Sequence, residues 1–152
     1  MEYVTHFSFE YPSGYRKVMT DARSEPPAPL VVRFAKATGV FGCVRQTDTC
    51  FGVSIIWPSR EARDALEAVD RVISGLDDPN LVRERSSAAV AGIPAVQVAY
   101  RDPRVLDRPE MREVFFDYGG RIWNIFIYSE TSRAEQAKLD FVHVVQTFKI
   151  LP

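Results

Sequence analysis

Apolar and polar residues alternate strictly at the start of the chain. Over residues 5–11 the apolar side chains are Phe7, Phe9 and Tyr11, and one polar residue separates each from the next. A period of two is typical of a β-strand with one buried face. Pro12 then ends the pattern, because proline cannot donate a hydrogen bond to a sheet.

The same period predicts six further strands along the chain. They cover residues 30–36, 51–57, 81–90, 95–101, 113–118 and 121–128. Gly119 and Gly120 separate the last two strands and predict a hairpin, because glycine tolerates the positive φ of a tight turn. Residues 24–29 contain three prolines and are predicted to be an extended connector rather than a helix.

Residues 59–75 change to a helical period. Apolar side chains recur every three or four positions and form one stripe, which consists of Ala62, Ala65, Leu66, Val69, Ile73 and Leu76. Gly75 is predicted to end this helix in the left-handed conformation that glycine adopts easily.

A second helix is predicted near the end of the chain. Ser132 and Glu135 have the spacing of a capping box, which places the N-cap at Ser132. The expected apolar side consists of Ala134, Ala137, Phe141, Val144, Val145 and Phe148. Gln136, Asp140 and His143 are expected on the opposite side of the helix.

These elements predict an α+β fold for residues 1–152 as one domain. Most connections between strands are too short for parallel crossovers, so the sheet should be largely antiparallel, with the helices packed on it as a sandwich. A chain of 152 residues with 46% hydrophobic residues is long enough to bury a core of its own.

Charge and hydropathy exclude some classes of protein. The formal net charge is −1, which argues against a general nucleic-acid or anionic-membrane binder, because such a protein needs a basic excess. No apolar stretch approaches the roughly 20 residues of a membrane-spanning helix. The first residues lack the basic and apolar regions of a signal peptide, but a leader or lipid anchor outside the given chain stays open.

The two cysteines are separated by six polar or small residues. Cys43 and Cys50 are spaced for a local disulfide, which is the first interpretation if the protein is exported. Two free thiols are the alternative in the cytosol. A metal site is the least favoured interpretation, because neither His6 nor His143 is near the cysteines in sequence.

The sequence contains none of the short motifs of nucleophilic, metal-dependent or nucleotide-binding enzymes. His143 follows Asp140 by three residues, but a helix-surface contact is the preferred interpretation. Residues 101–112 form a loop in which four arginines alternate with Asp102, Asp107 and Glu110, and Glu113 follows directly, which predicts a neutralised, solvent-facing segment. We therefore expect no catalytic, cofactor-binding or metal-binding residues.

Aromatic residues are the one compositional surplus, at 12% of the chain. Core packing is the default role for aromatic side chains at strand spacing. The alternative is a groove for a ligand or peptide, and its candidate lining consists of Trp57, Tyr100, Tyr118, Trp123 and Tyr128.

Three short segments resemble PsbP-like domains. Residues 7–15, with the sequence Phe-Ser-Phe-Glu-Tyr-Pro-Ser-Gly-Tyr, are similar to the opening strand and turn of that family. Gly92-Ile93-Pro94-Ala95 is similar to its mid-chain turn, and the late hairpin, closing helix and Thr147-Phe148 are similar to its C-terminal half. The resemblance implies the Mog1/PsbP-like α/β/α sandwich and, for bacterial relatives, an exported and often lipid-anchored protein.

The resemblance transfers no functional residue, because the matching segments are structural. The chain as given also lacks the N-terminal extension through which the plant proteins act, so no role in oxygen evolution is expected. We expect a non-catalytic binding or accessory domain with a protein or small-molecule partner, in an extracytoplasmic location with the cytoplasm left open. The alternative is a small-molecule carrier or enzyme with an aromatic-lined pocket between sheet and helix.

Overall fold

The computed structural model describes residues 7–22, 30–36, 49–106 and 109–152, with the backbone alone for 18–22 and 30–31. Within these residues there are nine strands and two α-helices. The strands are β1 (Phe7–Ser8), β2 (Arg16–Ala22), β3 (Leu30–Ala35), β4 (Cys50–Ile56), β5 (Val82–Val90), β6 (Ile93–Arg101), β7 (Glu110–Tyr118), β8 (Arg121–Ser129) and β9 (Lys149–Ile150). The helices are α1 (Ala65–Ser74) and α2 (Ala134–Thr147).

Seven strands form one antiparallel sheet in the order β2-β3-β4-β8-β7-β6-β5. The strands β1 and β9 form a separate antiparallel pair. The helices pack on the large sheet, α1 mainly on β6 and β7, and α2 mainly on β8. The predicted fold class, a largely antiparallel sheet with helices packed on it, is confirmed.

The sheet separates two hydrophobic cores because successive side chains of a strand point to opposite faces. The α2 core includes Phe51, Val53, Ile125 and Ile127 from the strands, with Phe141 and Val144 from α2. The α1 core includes Val98, Tyr100, Phe115 and Ile122 from the strands, with Ala65, Ala68 and Val69 from α1. Neighbouring positions in β8 therefore belong to different cores.

The N-terminal strand is shorter than predicted. Only Phe7 and Ser8 form β1, opposite Ile150 and Lys149, while residues 5 and 6 lie outside the described part of the chain. Phe9 makes no strand pair, but its ring packs on Phe148 and on the rest of the α2 core. The alternation thus predicted correctly that Phe7 and Phe9 face the core, although backbone pairing ends before Phe9.

Helix α1 begins later than residue 59, because Asp64 is its N-cap and accepts a hydrogen bond from the backbone N–H of Glu67. Leu66 was expected in the buried stripe, but it is 51% exposed. Gly75 has a φ of −76°, so the predicted left-handed termination is wrong. The backbone N–H of Gly75 instead bonds to the carbonyl of Arg71 and continues the helical geometry.

Helix α2 also differs from the capping prediction. A short 3₁₀ turn, Thr131–Arg133, precedes it, and its N-cap Arg133 makes no side-chain cap hydrogen bond. The hydroxyl of Ser132 bonds instead to the carboxylate of Glu130. Because the chain enters the helix through the 3₁₀ turn, Ser132 is not at the N-cap position.

The predicted loop over residues 101–112 is shorter, because β7 already begins at Glu110. At the start of that loop, Arg104 pairs with Asp102 at 2.8 Å, as expected for a neutralised surface segment. Arg112 lies in the sheet instead, and Glu113, the first residue of the predicted strand, is buried. Pairing with β6 extends β7 beyond its purely apolar segment.

Candidate functional site

A cleft of ≈ 110 Å³ lies where the first turns of α2 cross the sheet. Its polar lining consists of Arg83, Glu110, Arg112, Ser129, Glu135 and Lys138. Alanine, methionine and isoleucine side chains from β6, β7, β8 and α2 complete it. Strands β5 and β7 reach this position through pairing with β6, so residues distant in sequence meet at one end of the sheet.

Two ion pairs hold three of the five charged side chains that line the cleft. Arg83 Nη2 donates to Glu110 Oε1 at 2.9 Å, and the Glu110 side chain is only 10% exposed. Arg112 Nη1 donates to Glu84 Oε2 at 3.1 Å. That hydrogen bond and the charge of Arg112 lower the pKa of Glu84, and the nearby charge of Lys138 acts in the same direction. The cleft therefore presents fixed charges of both signs.

A buried polar cluster lies on the other face of the sheet. Glu113 on β7 is 8% exposed, and its two carboxyl oxygens accept hydrogen bonds from different neighbours. The hydroxyl of Tyr100 donates to Oε2 at 2.7 Å, and Nδ2 of Asn124 donates to Oε1 at 3.1 Å. Strands β6, β7 and β8 thus each contribute one member of this cluster.

Burial controls the ionisation of the cluster. Desolvation raises the pKa of Glu113, and the hydrogen bonds from Tyr100 and Asn124 oppose that change without cancelling it. The pKa of Tyr100 is also raised, first by burial and then by the neighbouring Glu113. Oδ1 of Asn124 is buried and finds no hydrogen-bond partner among the described residues.

Close packing flanks the cluster along the sheet. Phe126 on β8 pairs in register with Glu113 on one side and with Gly52 on the other. A Cβ atom at Gly52 would lie 2.5 Å from Cζ of Phe126 and 2.6 Å from the carbonyl oxygen of Val32. Glycine is therefore required at this position so that the Phe126 ring can lie over β4.

Comparison of the sequence finds no matching family model and no matching curated protein. Solved structures are similar. The solution structure of cyanobacterial PsbP (CyanoP) from Synechocystis sp. PCC 6803 has a TM-score of 0.56 at 17% identity, covering 95% of this chain and 86% of that chain. The crystal structure of LpqN, involved in cell envelope biogenesis of Mycobacterium tuberculosis, has a TM-score of 0.55 at 11% identity, covering 96% of this chain and 83% of that chain.

The chain has the PsbP-like fold. The similarity extends over almost the whole chain, so the expected Mog1/PsbP-like sandwich is confirmed as its architecture. Within this PsbP-like fold, the cleft lies on the α2 side of the sheet and the polar cluster on the α1 side.

The five aromatic residues proposed for a groove do not converge in the PsbP-like fold. Tyr100 belongs to the α1 core and Trp123 to the α2 core, so the sheet lies between them. Trp57 follows the end of β4 and stacks on the guanidinium of Arg121, whose Cζ is 4.6 Å from the ring centroid.

The two remaining aromatic residues lie at different ends of β7 and β8. Tyr118 is exposed beside the Gly119-Gly120 turn, and its carbonyl accepts a hydrogen bond from Nε1 of Trp123 at 3.2 Å. Tyr128 stacks on Phe126 with 5.9 Å between the ring centroids. Met111 pairs in register with Tyr100 on one side and with Tyr128 on the other. Both tyrosines therefore lie at the end of the sheet near the polar cluster.

Cys50 is fully buried at the start of β4, and it is not a free thiol. Cys43, its expected partner, lies outside the described residues, so the disulfide between the two stays a prediction. His6 also lies outside the described part of the chain.

Asp140 and His143 have separate surroundings. Asp140 is 4% exposed, and its carboxylate accepts hydrogen bonds from the Tyr15 hydroxyl at 2.7 Å and from Gln136 at 2.8 Å. Nε2 of His143 lies 3.7 Å from a carboxylate oxygen of Glu10. The expected surface position of Asp140 is therefore wrong, because Tyr15 covers it from a segment 125 residues away in sequence.

The described residues contain no group of three or more His, Cys, Asp or Glu side chains that could hold a metal ion. In the same part of the chain, no helix is both long and apolar enough to cross a membrane. The cleft offers hydrogen-bond donors and acceptors on a rigid sheet, and the polar cluster offers a buried carboxyl group bonded to its neighbours. Pattern reasoning missed both, because each depends on strand pairing.

Proposed function

We propose that this chain is a non-catalytic binding domain, an accessory module whose cleft receives a polar side chain of a protein partner. The observation that carries this proposal is the Arg83–Glu110 pair. Glu110 is held almost buried, while Arg83 is 54% exposed and carries further N–H donors beyond the one it gives to Glu110. A pair fixed in this way is preorganised for polar recognition at little entropic cost.

The size of the cleft supports a side chain rather than a small molecule. Pockets for small ligands usually occupy about 300–1,000 Å³ and are lined mainly by apolar and aromatic groups. This cleft measures ≈ 110 Å³, and no aromatic side chain lines it. Within the described residues, nothing favours the alternative of an aromatic-lined pocket between sheet and helix.

The buried acids also support a binding role. Glu113 and Asp140 are the kind of buried carboxyl group that enzymes use in acid–base chemistry. Each is bonded instead to tyrosine and amide side chains that join distant elements of the fold. These hydrogen bonds account for both groups as structural parts of the domain.

Site-specific photo-crosslinking in cells of the source organism tests the proposal. A photoreactive residue that replaces Glu135 would be exposed in the lining of the cleft. One that replaces Gln146 would be exposed on the same helix about 16 Å away, and it serves as the control. We expect one recurrent protein adduct from position 135 and none from 146. Arg83→Glu should abolish the adduct, because it replaces the cation of the pair with a second carboxylate.

The same protein adduct from both positions, or an adduct unchanged by Arg83→Glu, would contradict docking at the cleft. A small-molecule mass that persists on the purified protein in native mass spectrometry would instead favour the carrier. Circular dichroism of the Arg83→Glu variant distinguishes loss of binding from loss of fold.

We also propose that the domain is extracytoplasmic. Two observations support this location: the fold is shared with LpqN, a protein involved in cell envelope biogenesis, and Cys50 is not free. Cell fractionation followed by mass spectrometry of the non-reduced protein tests it. We expect the protein outside the cytoplasm with Cys43 and Cys50 bridged; a cytoplasmic protein with two free thiols would contradict the proposal.

A further inference from the structure

Strand β5 is an edge of the seven-stranded sheet, and no described strand pairs with its outer side. On the α1 face, the side chains of Arg85, Ser87 and Ala89 are exposed. Helix α1 packs on β6 and β7 and leaves this part of the face uncovered, apart from an ion pair between Asp70 and Arg85.

The hairpin between β5 and β6 decides which backbone groups are available. Val90 pairs with Ile93 across the two-residue turn Ala91-Gly92, in which both residues have positive φ. A pair next to such a turn exchanges two hydrogen bonds, and bonding then alternates along an antiparallel ladder. The backbone N–H and C=O groups of residues 85, 87 and 89 therefore point away from the sheet.

Natural edge strands usually carry charges, prolines or bulges that prevent pairing with another chain. In β5 these protections are confined to the first half, which contains a register shift between Val82 and Glu84 and three consecutive charged residues, 83–85. The second half, Ser86-Ser87-Ala88-Ala89-Val90, carries no charge and only small or β-branched side chains.

We infer that β5 pairs antiparallel with β5 of a second copy of this chain, about a two-fold axis at Ser87. This register pairs Ser87 with itself and Arg85 with Ala89 of the second copy, so about six backbone hydrogen bonds form. A two-fold axis at Arg85 would instead place two guanidinium groups opposite each other, which is unfavourable. An axis at Ala88 or Ala89 would extend the ladder into the turn at Ala91. An axis at Ser86 would place Ala89 opposite residue 83, where the strand has its register shift. The charge of Arg85, the turn and the register shift together favour the axis at Ser87 for a second copy of this chain.

The pairing uses the outer edge of residues 85–89, whereas the cleft lies on the α2 face and takes only Arg83 from β5. It covers only about five residues of each chain, which places it among small, weak and reversible interfaces. We therefore expect a dimer that dissociates on dilution. If no dimer forms, the proposed docking at the cleft still stands. If the photo-crosslink at position 135 is absent, the proposed dimer still stands.

Sedimentation velocity over a concentration series, at low and high salt, tests the inference with three variants. Ser87→Pro removes the backbone N–H at the centre of the proposed pairing. Because that N–H points away from β6, its loss leaves the hydrogen bonds between β5 and β6 in place. We expect this variant to be monomeric at every concentration. Ala89→Glu places a carboxylate opposite Arg85 of the second copy, and Ala89→Lys places a cation there.

Because the two-fold axis repeats each contact, we expect Ala89→Glu to strengthen and Ala89→Lys to weaken dimerisation, each by about tenfold at low salt and less at high salt. Matching unfolding midpoints show that all variants remain folded. A wild-type protein that is monomeric throughout, a dimer that Ser87→Pro leaves intact, or equal effects of the two Ala89 variants would each overturn the inference. A monomer that binds extended peptides along β5 would assign the edge to another partner.

Discussion

Glu113 is a carboxyl group enclosed in a sheet face, and its protonation state is linked to folding. Burying an ionised carboxylate is costly unless hydrogen bonds compensate it. Tyr100 and Asn124 supply two hydrogen bonds, yet desolvation still raises the pKa of Glu113 above its ordinary value of 4.5. The folded state therefore holds this proton more tightly than the unfolded chain does.

The sign of the resulting pH dependence follows directly. The stabilising contribution of protonated Glu113 is fully present below the unfolded pKa and is lost as the pH rises through the raised folded pKa. Glu113→Gln removes this titration and keeps an amide that can bond to Tyr100 or, after rotation of its amide, to Asn124. We expect the variant to gain stability relative to wild type as the pH rises above the unfolded pKa of a glutamate, about 4.3.

Urea unfolding of both proteins at several pH values measures this difference, because the titrations they share cancel. Glu135→Gln, at an exposed carboxyl group on α2, is the matched control, because it removes one carboxyl group and leaves the buried cluster unchanged. A Glu113→Gln variant that loses stability relative to wild type as the pH rises would show that Glu113 is preferentially ionised in the folded state.

The residue patterns could not predict the partners of the buried acids. Glu113 is the first residue of a predicted strand and directly follows a charged loop, and Asp140 is predicted on the polar side of α2. Their hydrogen bonds join residues 13 and 125 positions apart. Local periodicity reports which face of an element is apolar, but it contains no information about a polar partner on another element.

At the scale of elements, alternation located β3 to β8 because each of these strands places apolar residues on at least one buried face. It missed β2, whose sequence Arg-Lys-Val-Met-Thr-Asp-Ala shows no regular alternation. Pairing with β3 holds β2 in the sheet at its other edge. Both helices could be predicted from the sequence, but their first residues could not, because the caps depend on where the chain turns.

The two helix starts give a matched test of capping. Oδ1 of Asp64 accepts from the N–H of Glu67 at 2.8 Å, whereas the Ser132 hydroxyl bonds only to the half-buried Glu130 side chain at 3.3 Å. Asp64→Ala should reduce the free energy of unfolding by about 1 kcal/mol, because it leaves a first-turn N–H without its cap. Ser132→Ala should stay within about 0.5 kcal/mol of wild type.

Chemical denaturation of the two alanine variants beside wild type measures both values. The capping-box pattern alone predicts the larger loss at Ser132. Equal losses, or a larger loss at Ser132, would therefore restore the sequence interpretation and contradict the helix start seen in the structure.

At the scale of the whole molecule, one sheet serves both cores and also assembles the cleft. The sandwich could be predicted from the order of elements and from the resemblance to PsbP-like domains. The cleft could not, because Arg83, Glu110 and Lys138 come from three elements whose relative positions depend on strand order. The aromatic surplus likewise fills the cores, as for Trp123 and Phe148, rather than lining a groove.

Two cores on opposite faces of one sheet should respond independently to small cavities. Val69 of the α1 core and Val144 of the α2 core are both fully buried, so Val→Ala at either position removes the same two methyl groups. We expect each substitution to cost about 2 kcal/mol of the free energy of unfolding. Because the sheet separates them, the double variant should lose the sum of the two within about 0.5 kcal/mol.

The matched comparison is Val144→Ala combined with Phe148→Leu, since these residues share the α2 core and lie four positions apart. A neighbour can relax into a cavity next to it, so this pair should depart from additivity by more than about 0.5 kcal/mol. Urea unfolding of the three single and two double variants gives the free energies for both double-mutant cycles. Strong coupling between Val69 and Val144 would mean that strain passes through the sheet and that the two faces behave as one core.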